Sequence, residues 1–199
     1  MPRILLLFAH PRFEKSRSNK ILLTGLNPAV TFHDLYEKYP DFNIDPDYEK
    51  ELLVQHDIII WQHPFYWYSC PPLLKQWIDI VLEHGWAYGK EGTALKGKFI
   101  FNSITSGGGR EVYSKEGNNR FTINEFLVPF EQTAALCNMV YLPPFAVQGT
   151  HKLSNNELYN YNSMFQKLIT RLLVNVETAE IFKHKFLNDW ITSLEIDNA

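Results

Sequence analysis

The sequence predicts an α/β fold with a doubly wound parallel sheet and helices on both faces. Short apolar runs alternate with segments of helical periodicity, which is the pattern of βαβ units with right-handed crossovers. The 199 residues, of which 45% are hydrophobic, suffice for a core on each side of such a sheet. Three polar clusters each follow an apolar run. Parallel strands would bring these clusters to one carboxyl edge, where open α/β sheets bind ligands.

Five apolar runs are predicted to be strands, because each is short and rich in Ile, Leu, Val or Phe, as buried strands are. In chain order they cover residues 3–9, 30–35, 57–62, 98–104 and 139–147. Pro143 and Pro144 interrupt the fifth run. Five parallel strands of this kind suggest the order 2-1-3-4-5, with the binding crevice between the first strand and the third.

Helices are predicted where apolar residues repeat at i, i+3 and i+4. The clearest helix covers residues 71–84, with Ser69 or Cys70 before its proline start. Gly85 is expected to end it as the C′ residue, because glycine tolerates the left-handed backbone found there.

Capping residues locate the remaining helices. Ser154 and Glu157 form a capping box before a long helix that continues to Leu172. Asp45 and Pro46 open a short helix, the acid as cap and the proline at the first helical position. One further predicted helix begins near Ser18 and carries Ile21, Leu22 and Leu23. Another covers residues 123–137.

The chain is predicted to form one domain over residues 1–199, since it contains no repeat and no linker composition. Loops are expected over 36–45 and 105–121. Residues 175–199 form a C-terminal extension with weak structural signals. One further helix is expected there, carrying Phe182, Phe186 and Trp190.

Composition excludes several classes of protein. The formal net charge of −3 argues against a nucleic-acid partner. The two cysteines form no CxxC pair, so neither a disulfide framework nor a zinc or other metal site is expected. The sequence contains neither a signal-peptide pattern nor an apolar run long enough to span a bilayer. A reduced, cytoplasmic compartment is therefore expected, with any membrane association made through a partner.

The first polar cluster, 10–19, has the donors of a phosphate site. Ser16, Ser18 and Asn19 offer hydroxyl and amide groups at a helix start, where backbone N–H groups point outward. The basic residues of the cluster are Arg12, Lys15 and Arg17. Neither GxxxxGK[ST] nor GxGxxG occurs, which disfavours a P-loop or a Rossmann pyrophosphate site. A capped helix with solvated basic residues explains the cluster equally well.

The second cluster, 64–69, reads PFYWYS. Trp67 and Tyr68 could flank a planar ring, although aromatic residues after a buried strand more often belong to the core. The proline favours an exposed loop. His63, directly before the cluster, is interpreted as a structural or supporting residue.

The third cluster, 105–109, contains three consecutive glycines. Glycines let backbone amides approach a ligand closely, and such an array of N–H donors favours an electron-rich carbonyl or an anion. A flexible loop is the simpler alternative. Tyr113 follows the glycines and either reaches over a bound ring as a hydrogen-bond donor or packs on the surface.

Several segments together resemble the flavodoxin-like NAD(P)H:quinone oxidoreductases, and within them the ancillary proteins of Kef glutathione-regulated potassium-efflux systems. The similarity spans about 3–172, and the block 61–98 is its most specific part. The segments that carry it are AHP at 9–11, SRSN at 16–19, LYEKYPDFNID at 35–45, WQHPFYWYSCPPLLKQWID at 61–79, HGWAYGKEGTALKGK at 84–98, TSGGG at 105–109 and YLPPFAV at 141–147.

The resemblance implies a flavodoxin-like fold, non-covalent FMN (FAD in some members) and a homodimer with the flavin near the subunit interface. Residues expected around the phosphate are His10, Ser16, Arg17, Ser18 and Asn19. Residues expected to border the flavin ring are Phe65, Tyr66, Trp67 and Tyr68. Donors expected on the pyrimidine side of the ring are Thr105, Ser106, Gly107 and Gly108.

The resemblance also implies catalytic positions. In related quinone reductases a Tyr and a His six residues later assist hydride transfer. Tyr113 matches the Tyr, but the later position is Asn119, which donates a hydrogen bond and cannot carry charge. Paired carboxylates and Ser/His/Asp sets are absent from the sequence, as expected where a cofactor performs the hard chemistry.

The function expected is two-electron, ping-pong reduction of quinones by NAD(P)H. One alternative is a regulatory subunit that docks on a Kef-type potassium-efflux channel at the inner membrane and whose catalysis is incidental. Another alternative is a flavodoxin-like electron carrier, which the small net charge of −3 disfavours.

Overall fold

A parallel sheet of six strands forms the centre of the molecule in the computed structural model, which describes residues 1–196. The strands are β1 Ile4–Phe8, β2 Val30–Asp34, β3 Ile58–Pro64, β4 Phe99–Ser106, β5 Val140–Tyr141 and β6 Phe145–Gln148. Their order is β2-β1-β3-β4-β5, with β6 paired to β4. The predicted order 2-1-3-4-5 and the doubly wound α/β class are confirmed.

The predicted fifth strand is two strands, so the expected count of five is wrong. In β5, Val140 lies opposite Phe99 of β4, and in β6, Phe145 lies opposite Ser103 of the same strand. Pro143 and Pro144 stand between them, and a proline has no N–H to donate to a sheet ladder. The two short strands therefore continue one edge of the sheet in two pieces.

Eight α-helices cover the two faces of the sheet in residues 1–196. They are α1 Arg17–Leu22, α2 Leu35–Lys38, α3 Pro46–Val54, α4 Pro72–Val81, α5 Ile123–Leu136, α6 Asn155–Val174, α7 Thr178–Ile181 and α8 Leu187–Ile196. One core packs α2 to α5 against odd-numbered β1 residues such as Leu5, and the other packs α1 and α6 to α8 against even-numbered ones such as Leu6. Alternate side chains of a strand point to opposite faces, so each strand serves both cores.

Several helix ends differ from the prediction. Helix α1 begins at Arg17, because the hydroxyl of Ser16 already caps it. Helix α4 has Pro71 at its N-cap without a side-chain cap and ends at Val81, so neither Ser69 nor Cys70 caps it. Gly85 has a φ of 82°, but it lies in the turn beyond the helix and is not its C′ residue.

The expected loop 36–45 begins with a helical turn. Asp34 caps helix α2 by accepting hydrogen bonds from the backbone N–H groups of Tyr36 and Glu37. The caps predicted for α3 and α6 are confirmed. Asp45 caps α3, and Ser154 and Glu157 form the capping box of α6.

The C-terminal extension contains two helices rather than one, and it covers the edge of the sheet. The side chain of Asn188 accepts from Ala146 N at 2.8 Å and donates to Ala146 O at 3.2 Å, so it pairs with the outer backbone groups of β6. Trp190 of α8 is buried, while Phe182 and Phe186 lie outside both helices. Covering an edge strand blocks its pairing with other chains. Residues 197–199 of the predicted extension lie outside the described part.

Candidate functional site

The three polar clusters converge on one cleft of about 790 Å³ at the carboxyl ends of β1, β3 and β4. This is the crevice between the first and third strands that the sheet order predicts. The residues lining the cleft are His10, Arg12, Lys15, Ser16, Arg17, Ser18, Asn19, Pro64, Phe65, Tyr66, Trp67, Thr105, Gly107, Gly108, Tyr113, Thr150 and His151.

A buried amide organises the inner end of the cleft. Asn19 is 1% exposed, and its Nδ2 donates to Ser16 Oγ at 2.9 Å and to Thr105 Oγ1 at 3.1 Å. Its Oδ1 accepts from Gln62 Nε2 at 3.0 Å. Asn19 thereby joins the start of α1 to β3 and β4. These three hydrogen bonds give Asn19 a structural role at the inner end of the cleft.

Ser16 and Ser18 present hydroxyl groups to the cleft. Ser16 Oγ accepts from Asn19 N at 3.3 Å and from Asn19 Nδ2, so its own O–H remains available to donate to a ligand. The Ser18 side chain makes no hydrogen bond with any of the described residues. The N–H groups of Arg17 and Ser18, the first two residues of α1, have no intrahelical partner.

His10 is a neutral donor beside these hydroxyls. Its Nδ1 accepts from the backbone N–H of Arg12 at 3.1 Å, which leaves the ring proton on Nε2. Burial lowers the pKa of His10 and outweighs the opposing effects of Glu14 and of the His10 backbone. A neutral imidazole here can donate one hydrogen bond into the cleft.

The three basic residues of the first cluster have different surroundings. Arg17 Nη2 donates to the carbonyl oxygens of Thr150 at 2.8 Å and Leu153 at 2.7 Å, and so ties α1 to the loop after β6. The side chains of Arg12 and Lys15 are exposed and form no ion pair within residues 1–196. Only Arg17 is held in place by the protein itself.

A strained turn carries the aromatic wall of the cleft. Trp67 and Tyr68 have φ values of 50° and 65°, and Ser69 N donates to Tyr66 O at 2.9 Å across them. Two central residues with positive φ define a tight hairpin turn that normally contains Asn or Gly. Aromatic residues there cost about 1–3 kcal/mol each. The turn holds Trp67 at the mouth of the cleft with 92% of its surface exposed.

Three predicted site residues do not line the cleft. Tyr68 stacks on Phe126 with ring centroids 4.9 Å apart, and its hydroxyl donates to Asn119 Oδ1 at 3.4 Å. Ser106 Oγ instead donates to Gly108 O at 2.9 Å and shapes the glycine loop. Tyr68 and Asn119 therefore face each other beside the cleft, and their predicted contacts with a ligand stay predictions.

The glycines allow two loops to touch. A Cβ at Gly107 would lie 2.5 Å from His151 Nε2, and a Cβ at Gly108 would lie 3.0 Å from Cε2 of Tyr113. Tyr113 packs edge-on against Phe65 at 5.6 Å. Burial, with a smaller contribution from Tyr68, raises the pKa of the Tyr113 hydroxyl, so it stays protonated and can donate.

Sequence reasoning missed the fourth wall, which is the loop after β6. Thr150 N and Oγ1 both bond to the carbonyl oxygen of Ser106, at 3.0 and 3.1 Å, and Gly149 N donates to Gly108 O at 2.8 Å. The letters QGTH after the fifth apolar run form a polar cluster like the other three. The same strand-end rule applied to this run would have located Thr150 and His151.

A chain of hydrogen bonds between polar side chains in the protein interior supports the aromatic turn. Tyr141 Oη donates to Asn102 Oδ1 at 2.6 Å, Asn102 Nδ2 donates to His63 Nε2 at 2.9 Å, and His63 Nδ1 donates to Pro64 O at 3.0 Å. Burial lowers the pKa of His63 to about 4, so the ring is neutral. Pro64 O also accepts from Tyr66 N at 3.1 Å. The supporting role expected of His63 thus has a geometric basis.

A protein-family model described as "Flavodoxin-like fold" matches residues 2–168. The chain belongs to the flavodoxin-like fold family. The glutathione-regulated potassium-efflux system ancillary protein KefG of Pectobacterium atrosepticum is 47% identical over 159 residues, which cover 79% of this chain and 87% of that protein.

Two solved structures are also similar to this chain. General stress protein 14 of Treponema denticola, in complex with FMN, has a TM-score of 0.81 and 37% identity, covering 86% of this chain and 99% of that one. An NADPH-quinone reductase of P. pentosaceus has a TM-score of 0.74 and 31% identity, covering 83% and 96% respectively.

The donor chemistry of the flavodoxin-like cleft fits a phosphorylated flavin. Its inner end presents uncharged donors from Ser16, Ser18 and His10, and the lining contains no Asp or Glu that would repel a phosphate. Its outer part has aromatic side chains, including Trp67, and glycine amides that suit a planar, electron-rich ring. Helices long and apolar enough to cross a membrane are absent from residues 1–196, as are clusters of three potential metal ligands.

Proposed function

We propose that this protein is an FMN-dependent NAD(P)H:quinone oxidoreductase. The observation that carries the proposal is a single cleft that joins a carboxylate-free set of phosphate donors to an aromatic wall and the Tyr113 hydroxyl. The FMN complex of one structural neighbour and the NADPH-quinone reductase name of another support it. When bound, FMN accepts a hydride from NAD(P)H and passes two electrons to a quinone.

The chain's own residues would position and stabilise the reactants. Ser16, Ser18 and His10 would hold the phosphate, because each has a donor free to reach it. The amides of Gly107 and Gly108 would face the pyrimidine edge, where negative charge develops on reduction. Phe65, Tyr66 and Trp67 would border the ring, since all three line the cleft.

Tyr113 would be the hydroxyl that assists transfer. It lines the cleft and stays protonated at neutral pH because burial raises its pKa. Asn119 would orient the neighbouring Tyr68, because its Oδ1 accepts a hydrogen bond from the Tyr68 hydroxyl. An asparagine cannot carry charge, so acid–base assistance would come from Tyr113 alone.

The dinucleotide and the quinone would use the same cleft in turn. One cleft is lined by both the aromatic turn and the glycine loop. Sequential use of one site predicts ping-pong kinetics. Because glycine-loop and Tyr113 contacts are shared, each substrate would inhibit the other at high concentration.

We also propose that the active protein is a homodimer. Trp67, Tyr68 and Phe121 are 92%, 49% and 53% exposed around one side of the cleft. Contiguous exposed aromatic surface of this kind marks interaction sites. A second copy would cover these rings and complete the site, and light scattering should then give about twice the 23.3 kDa chain mass.

A second candidate function is that of an ancillary subunit of a Kef-type potassium-efflux channel. The specific observation in its favour is the 47% identity to a protein named for that role. In this case the protein would be cytoplasmic and peripheral at the inner membrane through its channel partner. The two functions would be compatible if the channel docks on surface outside the cleft.

Anaerobic spectroscopy tests the enzyme proposal. Protein reconstituted with FMN should show flavin absorption bands that bleach on addition of NAD(P)H and return on addition of benzoquinone. Failure to retain FMN would refute the proposal. Retention of FMN without turnover with either nucleotide would favour the ancillary role, and pull-down with a channel's cytosolic domain would then test that role.

A further inference from the structure

We propose that Arg12 and Lys15 form a cationic rim that makes this cleft select NADPH over NADH. The inference rests on the proposed function and adds the class of reductant. It starts from a charge imbalance between the cleft and the rest of the chain.

The cleft is basic in an acidic protein. The chain has 22 Asp and Glu against 19 Lys and Arg, yet the lining contains three Arg and Lys side chains and no carboxylate. The nearest acid in the sequence is Glu14, which does not line the cleft. Even with Glu14 counted, residues 12–17 carry a net charge of +2. The positive charge of the lining therefore favours strongly anionic ligands.

The donors are layered from inside to outside. Asn19 and His10 are buried, Ser16 and Ser18 are half-buried, and Arg12 and Lys15 are exposed. The inner uncharged donors suit the cofactor's own phosphate, and Arg17 beside them is held by two carbonyl groups. This arrangement leaves Arg12 and Lys15 free for a second phosphorylated species that arrives from solvent.

The two charges of the rim lack partners within the protein. Neither side chain has an ion pair or a hydrogen bond among residues 1–196. Unpaired cations at the mouth of a cleft attract anionic ligands over several ångströms and raise their local concentration. NADH and NADPH share a pyrophosphate, so attraction to that group does not discriminate between them.

The 2′-phosphate of NADPH supplies the discriminating charge. At neutral pH a phosphate monoester carries about −1.5 to −2. If each cation lies on the order of 8–10 Å from this phosphate in water, screening at physiological ionic strength leaves a preference of about two- to fourfold in kcat/KM. The preference should decline as salt is raised, because both rim side chains are exposed.

The test compares both nucleotides on FMN-loaded wild-type protein and on Arg12→Gln/Lys15→Gln. We expect an NADPH/NADH ratio of kcat/KM of about 3 that falls to about 1 in the double variant, with a smaller change for NADH. Lys90→Gln is the control, because Lys90 is exposed, does not line the cleft and makes no described hydrogen bond or ion pair. A wild-type ratio near 1, or a ratio unchanged in the double variant, would overturn the inference.

A binding measurement separates this inference from the enzyme proposal. Adenosine 2′,5′-bisphosphate should bind FMN-loaded protein about two- to fourfold more tightly than AMP by calorimetry, and the double variant should lose that difference. Rim-dependent binding without any flavin reduction would refute the enzyme function and support the site. Turnover together with equal binding of adenosine 2′,5′-bisphosphate and AMP would support the enzyme function and refute the role of the rim. A rim-dependent preference for FAD over FMN would assign the cations to the cofactor and overturn the inference.

Discussion

Ser18 and Asn19 are neighbours in the sequence, yet the structure predicts opposite consequences for their removal. The Ser18 hydroxyl has no hydrogen bond among the described residues, so Ser18→Ala should change the free energy of unfolding by less than about 0.5 kcal/mol. If that hydroxyl binds the FMN phosphate, the lost charge-assisted bond costs about 1.5–3 kcal/mol. FMN affinity should therefore fall roughly 10- to 150-fold.

Asn19→Ala should instead weaken the protein before any cofactor is added. It removes bonds to Ser16 and Thr105 and leaves the amide of Gln62, which is 0% exposed, without its partner. An orphaned buried polar group costs about 1–3 kcal/mol. At roughly 2–4 °C per kcal/mol for a chain of this size, Tm of the cofactor-free protein should fall by about 2–12 °C.

Flavin fluorescence titration and thermal melts without flavin measure the two effects separately. Ser163→Ala is the control, because that serine is exposed on α6 away from the cleft and makes no described hydrogen bond. An FMN Kd within twofold of wild type in Ser18→Ala would refute the phosphate assignment. An unchanged Tm in Asn19→Ala would refute the structural role of the amide.

Three further results are expected. Tyr113→Phe should slow flavin reduction by NAD(P)H in stopped flow while leaving the FMN Kd unchanged, and equal loss of both would show a packing role instead. Asn188→Ala should lower the free energy of unfolding by about 1–3 kcal/mol and promote self-association, since it uncovers the edge of β6; light scattering at rising concentration checks this. Because the pKa of His63 falls from 6.5 to about 4 on folding, the unfolded chain binds the proton first, so stability should decline as the pH drops from 6.5 to 4 by roughly 3 kcal/mol. Urea denaturation across that range should show a flatter slope in His63→Leu, and an identical slope would contradict the assignment.

The sequence by itself determined the layers of this protein and the edge at which its site lies. Apolar runs, the capping box at Ser154, the N-cap at Asp45 and the alternation of strands with helices are local signals that depend on residues within a few positions of each other. Because parallel strands share a carboxyl edge, these local signals also predict that residues after β1, β3 and β4 meet. The observed cleft confirms that these three segments lie together.

Only the tertiary structure decided which side chains within those clusters face the cleft. Arg17 is drawn to the carbonyl oxygens of Thr150 and Leu153, more than 130 positions away, and Tyr68 turns to Phe126. The extension beyond the family-like region packs Leu187 and Trp190 into the core, and the Asn188 amide pairs with the backbone of β6. These outcomes depend on contacts between segments far apart in the chain, and such contacts leave no periodic signal in the sequence around either partner.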